Sequence, residues 1–173
     1  MKASVRPRPT SELSFGRYAS PVGVLGVLAG PAGLRAVDWR LGRGAAAGEP
    51  DETVRQVLTQ LAEYFAGHRR RFDLALDLPP MPPHTRAVLD AMASIGYGET
   101  VTYGELARRS GTELPPRAIG SIMAANPVPL VIPCHRVVAS LGLGGFSGGE
   151  PGHELATKRW LLEMEGGHPP TLL

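Results

Sequence analysis

Cys134, His135 and Arg136 stand side by side in an apolar run, Leu130 to Val138, directly after Pro133. A free cysteine in such a run is ordinarily a small buried hydrophobe. Here its two neighbours cost free energy to bury, and both are of the kind that lower a thiol pKa, so the triplet predicts a reactive thiolate. Side chains at successive strand positions face opposite ways. Cys134 and His135 therefore cooperate only if Pro133 breaks the strand or a water bridges them. Cys134 is the one cysteine among 173 residues, which excludes an internal disulfide framework and any multi-cysteine zinc finger. What remains is a lone thiol, inert or reactive, and its neighbours point to the reactive reading, with no metal and no cofactor expected.

Other parts of the chain must hold that thiol in place. Residues 13 to 41 contain short apolar runs broken by Gly and Pro (Leu13–Phe15, Val22–Leu28, Leu34–Trp39), which read as strands of an antiparallel meander. A Gly-rich loop, Gly42 to Pro50, follows. Val54, Val57, Leu58, Leu61 and Phe65 then share one helical face, with Asp51 placed to cap that helix and Gly67 to end it. Beyond the basic run His68–Arg71, the segment Phe72 to Leu78 alternates strictly and predicts a half-buried strand.

Four prolines in the five residues Pro79 to Pro83 favour an extended spacer, which sets the expected boundary between an N-terminal domain, 1–80, and a C-terminal domain, 81–173. The first half carries 11 basic and 8 acidic residues, the second 7 and 8, so the second half is not globally basic. Within it, Thr85 to Ile95 has helical spacing, and Thr102-Tyr-Gly-Glu105 matches a capping box opening a short helix to near Arg109. A turn and Pro115-Pro116 lead to a second helix from Arg117 to near Ala125, a helix-turn-helix outline. Asn126-Pro127 stops it. After the triplet come a Gly-rich loop, Gly142 to Gly152, and a last amphipathic helix from about His153 to Glu165.

Hydrophobic residues make up 43% of the chain, enough for a packed core and too many for a disordered one. No apolar stretch approaches the ~20 residues that span a bilayer. Met1 to Thr10 is basic and Pro-rich with no apolar signal core behind it, so a soluble, cytoplasmic protein without a membrane partner is expected. Sixteen of the 18 basic residues are Arg, a side chain suited to phosphate or carboxylate partners.

Pro133-Cys134-His135-Arg136-Val137 resembles the active-site signature of the O6-alkylguanine-DNA alkyltransferases, DNA repair proteins consumed by their own reaction. The likeness covers residues 84 to 166, through Tyr97-Gly-Glu-Thr100, Thr102-Tyr-Gly-Glu-Leu106, Arg117-Ala-Ile-Gly120, Asn126-Pro127, Ser147-Gly-Gly149, Lys158-Arg-Trp-Leu-Leu162 and Glu165-Gly166. The N-terminal half is similar in outline only. The resemblance implies an α/β (α+β) chain in which a small RNase H-like sheet-plus-helix domain precedes a helical, winged helix-turn-helix-like domain.

It also implies roles. Cys134 attacks the alkyl carbon on guanine O6 in one irreversible step, His135 serves as its base through a bridging water, Glu165 holds the imidazole, and Asn126 ties the turn to the active-site strand. In duplex DNA the base must be flipped out. Arg117 would fill the vacated stack, and Tyr103 would crowd the flanking phosphate. The small residues Ala118 and Gly120 would let their helix press into the minor groove, and Thr85, Thr112 and Ser140 would touch phosphates. Met123, Pro129, Val137, Phe146 and Ser147 would wall the guanine pocket. The implied partner is double-stranded DNA containing alkylated guanine, bound by a monomer.

Phe146 stands where the family has Tyr, and the segment between Gly149 and Lys158 is longer than usual. The loop Leu141 to Thr157 is accordingly expected to act as a lid over the alkyl pocket. Two other readings compete. A non-enzymatic alkyltransferase-like lesion-binding protein would lack the cysteine that is present. A winged-helix regulator with an incidental thiol would leave Pro-Cys-His-Arg beside Arg117 unexplained.

Overall fold

A computed structural model describes residues 13–44 and 49–167. The basic, Pro-rich start of the chain and part of the Gly42–Pro50 loop lie outside the described residues. Three strands, β1 (Ser14–Ser20), β2 (Gly23–Gly30) and β3 (Gly33–Asp38), form an antiparallel meander in the order β1-β2-β3. Asp38 ends the third strand by accepting a hydrogen bond from the Arg40 amide at 2.8 Å, which opens a short helix, α1 (Trp39–Arg43). Trp39, expected at a strand end, is therefore the first residue of a helix.

The helix α2 (Glu52–Phe65) forms as its spacing predicts, capped where the Asp51 carboxylate accepts from the Val54 amide at 2.9 Å. Val54, Val57, Leu61 and Tyr64 are fully buried against the sheet. The helix comes so close to β1 that a Cβ on Gly16 would stand 2.6 Å from Val54 Cγ1, a contact only glycine permits.

Residues 72–78 do not form the predicted strand. The segment is extended, but only a single parallel bridge, Leu34 to Leu76, joins it to β3, through hydrogen bonds from Leu34 N to Ala75 O and from Asp77 N to Leu34 O. Strict alternation reported an extended backbone correctly. It carried no information about whether a ladder partner runs alongside.

Past the prolines, α3 (Pro83–Ala93) begins with proline at its first position, where the missing N–H is not needed. A two-residue strand, β4 (Val101–Thr102), leads into α4 (Tyr103–Ser110), capped by the Thr102 hydroxyl accepting from the Glu105 amide. Gly111, at φ +68°, ends α4. The next helix, α5 (Pro116–Ala124), starts on Pro115-Pro116. A second two-residue strand, β5 (Val137–Val138), pairs in parallel with β4, and α6 (Glu154–Met164) closes the described chain. One apolar cluster extends from Leu25, Val37 and Tyr64 through Met92, Ile119 and Val137 to Leu161, so both halves contribute to the core.

Candidate active site

The run Leu130 to Val138 is not a continuous strand. Cys134–Arg136 forms one turn of 3-10 helix, and β5 begins only at Val137. Three prolines stiffen the approach to this turn, and Leu130 takes a left-handed φ of +74°. The Asn126 side chain clamps the approach at both ends: its Nδ2 donates to Ile132 O at 2.8 Å, and its Oδ1 accepts from the Val128 amide at 3.1 Å. The turn separates two side chains that a strand would merely have alternated. Cys134 faces cavities on the α5 side, and His135 goes into the core toward α6.

His135 is completely buried, and its Nε2 lies 2.9 Å from Glu165 Oε1. That oxygen also accepts from the Tyr64 hydroxyl at 2.6 Å and from Arg136 at 2.9 Å, while Oε2 accepts from Arg136 Nε at 2.9 Å. The remaining guanidinium arm donates to Ile95 O at 2.6 Å, and the group lies 5.8 Å from the centre of the Tyr97 ring. Burial opposes the charge on Glu165, but hydrogen bonds and charges from His135 and Arg136 outweigh it and hold the carboxyl well below the usual carboxylate range. Burial lowers the His135 pKa despite Glu165, so the imidazole is neutral. Its Nδ1 has no hydrogen-bond partner among the described residues. With Nε2–H given to Glu165, Nδ1 carries a lone pair.

The thiol departs from the sequence expectation. Burial pushes the Cys134 pKa up, and hydrogen bonding from Asn126 and the charge of Lys158 pull it back only in part. A lowered pKa was expected from His135 and Arg136, but one is neutral and the other is spent on Glu165. Lys158 was not singled out as a site residue. It is fully buried, donates from Nζ to Val137 O at 2.7 Å and Gly145 O at 2.9 Å, and burial brings its pKa down to about 8. The signal available was its spacing: Lys158, Leu161, Leu162 and Glu165 share one face of the last helix.

A cavity of about 260 Å³ opens beside the thiol, lined by Tyr103, Gly120, Met123, Ala124, Cys134, Gly145, Phe146 and Ser147. Pro129 and Asn126 line a smaller one, and Val137 is fully buried in the core rather than at either wall. Arg117 is exposed at the second position of α5, with Ala118 and Gly120 half-buried on the same short helix. Ser140 is exposed, Thr85 is half-buried, and the Thr112 hydroxyl lies 2.8 Å from that of Ser110. The loop expected to be a lid has two fixed points: Gly142 bridges Ala139 before the cavity, and the cavity-lining Gly145 accepts from Lys158.

The profile of the 6-O-methylguanine DNA methyltransferase ribonuclease-like domain matches residues 13–78, and that of the DNA binding domain of the same proteins matches residues 83–167. The methylated-DNA--protein-cysteine methyltransferase of Methanosarcina acetivorans is 34% identical over 155 residues, covering 86% of this chain and 96% of that protein. Its namesake from Methanopyrus kandleri is 40% identical over 131 residues, 74% and 92% of the two chains. Among solved structures, Mycobacterium tuberculosis O6-methylguanine methyltransferase superposes with a TM-score of 0.75 at 30% identity, covering 90% of this chain and 93% of that one. Mycobacterium tuberculosis OGT in complex with DNA gives 0.75 at 34%, covering 88% and 92%. A chain matched across both halves, whose cysteine is seated in a cavity, belongs to the methylated-DNA--protein-cysteine methyltransferase family, and its activity is DNA repair by alkyl transfer.

Proposed function

We propose that Cys134 accepts the alkyl group of O6-alkylguanine flipped out of duplex DNA, once per chain and irreversibly. The observation that carries this reading is the placement of the single thiol: it lines the cavity beside α5 while its neighbour His135 reaches back to Glu165. A raised thiol pKa requires a base. Neutral His135, with its free Nδ1 lone pair, takes the thiol proton through one bridging water as sulfur attacks. The new S–C bond forms while the C–O6 bond breaks, its electron pair returns to the guanine, and the proton ends on N1. Glu165 stabilises the transient imidazolium. A thioether is a poor leaving group, so nothing restores the thiol.

The cavity suits a purine, with Met123, Phe146 and Ser147 along its wall and Pro129 beyond them. Arg117 fills the stack left by the flipped base, and Tyr103 crowds the adjacent phosphate. Small side chains on α5 admit that helix to the minor groove, where little sequence is read. Thr85, Thr112 and Ser140 serve as phosphate contacts. The solved relative in complex with DNA supports a nucleic-acid partner. The chain works as a cytoplasmic monomer, and among the described residues no helix is long and apolar enough to cross a membrane. The boundary between a 1–80 domain and an 81–173 domain falls at the proline spacer.

The test is the mass of Cys134 after incubation with a duplex containing O6-methylguanine. One added methyl on that residue, reached at one equivalent and never exceeded, is the expected result. Sustained turnover, or methyl on another residue, refutes the reading.

A further inference from the structure

We infer that the N-terminal half forms part of the substrate pocket, with the turn Asp38-Trp39-Arg40 closing the space that receives the alkyl group and setting its size and polarity. This rests on the reading of Cys134 as alkyl acceptor.

Two cavities meet at the thiol. The larger lies between Tyr103, Gly120 and Phe146 on the α5 side. The smaller, about 90 Å³, is lined by Asp38, Trp39 and Arg40 from the first half and by Asn126, Pro129 and Gly148 from the second. Cys134, Met123, Ala124 and Ser147 border both. In a displacement at carbon, sulfur, carbon and the departing O6 lie nearly in line. Everything attached beyond that first carbon must project sideways from the line. With the base in the larger cavity, the smaller one is the lateral space beside the sulfur.

Its far wall is rigid. Trp39 is 1% exposed and donates from Nε1 to Val22 O at 2.8 Å, and its ring meets Phe146 edge-on at 6.3 Å. Gly148 is wedged between them: a Cβ there would lie 2.7 Å from both Phe146 Cζ and Trp39 Cζ3. Phe146 lines the larger cavity and Trp39 the smaller, so this contact stands where the two adjoin. A residue of the first half thus supports from behind a wall of the second half's pocket.

The volume and lining define a substrate class. About 90 Å³ takes a methyl, ethyl, propyl or hydroxyethyl group readily, whereas a benzyl ring is bulky enough to press on the Trp39 wall. Asp38 already accepts from the Arg40 amide. The exposed Arg40 guanidinium lines the same cavity and supplies donors at a polar end, so hydroxyethyl is favoured over propyl, which has the same number of heavy atoms.

Single-turnover alkylation of Cys134 tests this with duplexes carrying O6-methyl, O6-(2-hydroxyethyl), O6-propyl and O6-benzyl guanine. In Trp39→Ala the benzyl-to-methyl rate ratio is expected to rise about tenfold or more, the scale on which pocket size discriminates. Trp39→Phe, which keeps a ring in the core, should raise it less. Arg40→Ala, at an exposed position, should lower the hydroxyethyl-to-propyl ratio several-fold, the scale of one hydrogen bond. Wild-type ratios in Trp39→Phe and Arg40→Ala, with Cys134 still alkylated, overturn the inference. Absence of alkyl on wild-type Cys134 with every substrate overturns the underlying reading as well.

Discussion

Adjacent residues of one turn open onto opposite environments. Behind it, Glu165 gathers donors from His135, Arg136 and Tyr64 into a buried polar knot in which His135 Nδ1 has no partner among the described residues. In front, Cys134 borders open space lined by small or apolar residues. The difference shows how a fold reconciles fixed geometry with access. Satisfied, desolvated polar groups make the rear stiff, because displacing any one leaves another buried without its partner. The front stays accessible in part because Gly120 and Gly145 put no side chain into the cavity.

Variants on the two sides should therefore fail differently. The largest effect is expected from Glu165→Gln, which leaves Arg136 buried without its counter-charge and should cost about 3–5 kcal/mol in denaturant unfolding. The pH dependence has a definite sign. Because the folded carboxyl titrates well below its ordinary value near 4.5, its stabilisation is complete above that value and is lost as pH falls below it. In Glu165→Gln that acid-sensitive part of the stability profile should disappear. A variant as stable as wild type would mean the knot is not what stiffens the rear.

Tyr64→Phe removes one donor while keeping the ring, and about 1–3 kcal/mol of stability should go with it. Lys158→Met should raise the thiol pKa and slow transfer near neutrality, by about threefold for each unit of rise, because the scarcer thiolate is also the stronger nucleophile. Burial holds the folded Lys158 near 8, below its ordinary 10.5, so charging it in place costs stability as pH falls from 10.5 toward 8. That slope should vanish in the methionine variant. Unchanged pH–rate and pH–stability profiles would remove Lys158 from the thiol's surroundings. The smallest effect on stability belongs to the front. A Cβ on Gly120 meets nothing within 4 Å, so Gly120→Ala should preserve the fold and raise stability by up to about 1 kcal/mol. It should slow repair of duplex more than transfer from free O6-benzylguanine, and equal losses on both would remove Gly120 from the DNA-facing surface.

What could be read from the chain alone follows the range of the interactions concerned. The helix over 52–65 was legible because its apolar period and the Asp51 cap are local. The thiol and its imidazole were legible because their chemistry is conspicuous in an apolar run, and Pro133 hinted at the break between them. Tyr64 was not legible as a site residue, since it meets Glu165 across 101 positions and its place on α2 looks like ordinary core. Arg136 was read as an influence on the thiol, whereas it is bound to Glu165, a partner 29 residues away. The thiol's raised pKa could not be read at all, because burial is a property of the folded surroundings.

The bond from Tyr64 to Glu165 also bears on how freely the two halves can be exchanged between relatives. A chimera joining this C-terminal half to a foreign N-terminal half inherits the carboxylate without its 2.6 Å donor, unless the incoming helix happens to offer a hydroxyl at the same spot. Trp39 sets a parallel condition on the cavity side, where the incoming chain must also supply a ring of the right bulk against Phe146. Compatibility between halves thus depends on a few side chains at their junction more than on overall likeness of fold. A graft that ignored them would produce a protein that folds but presents its sulfur less firmly.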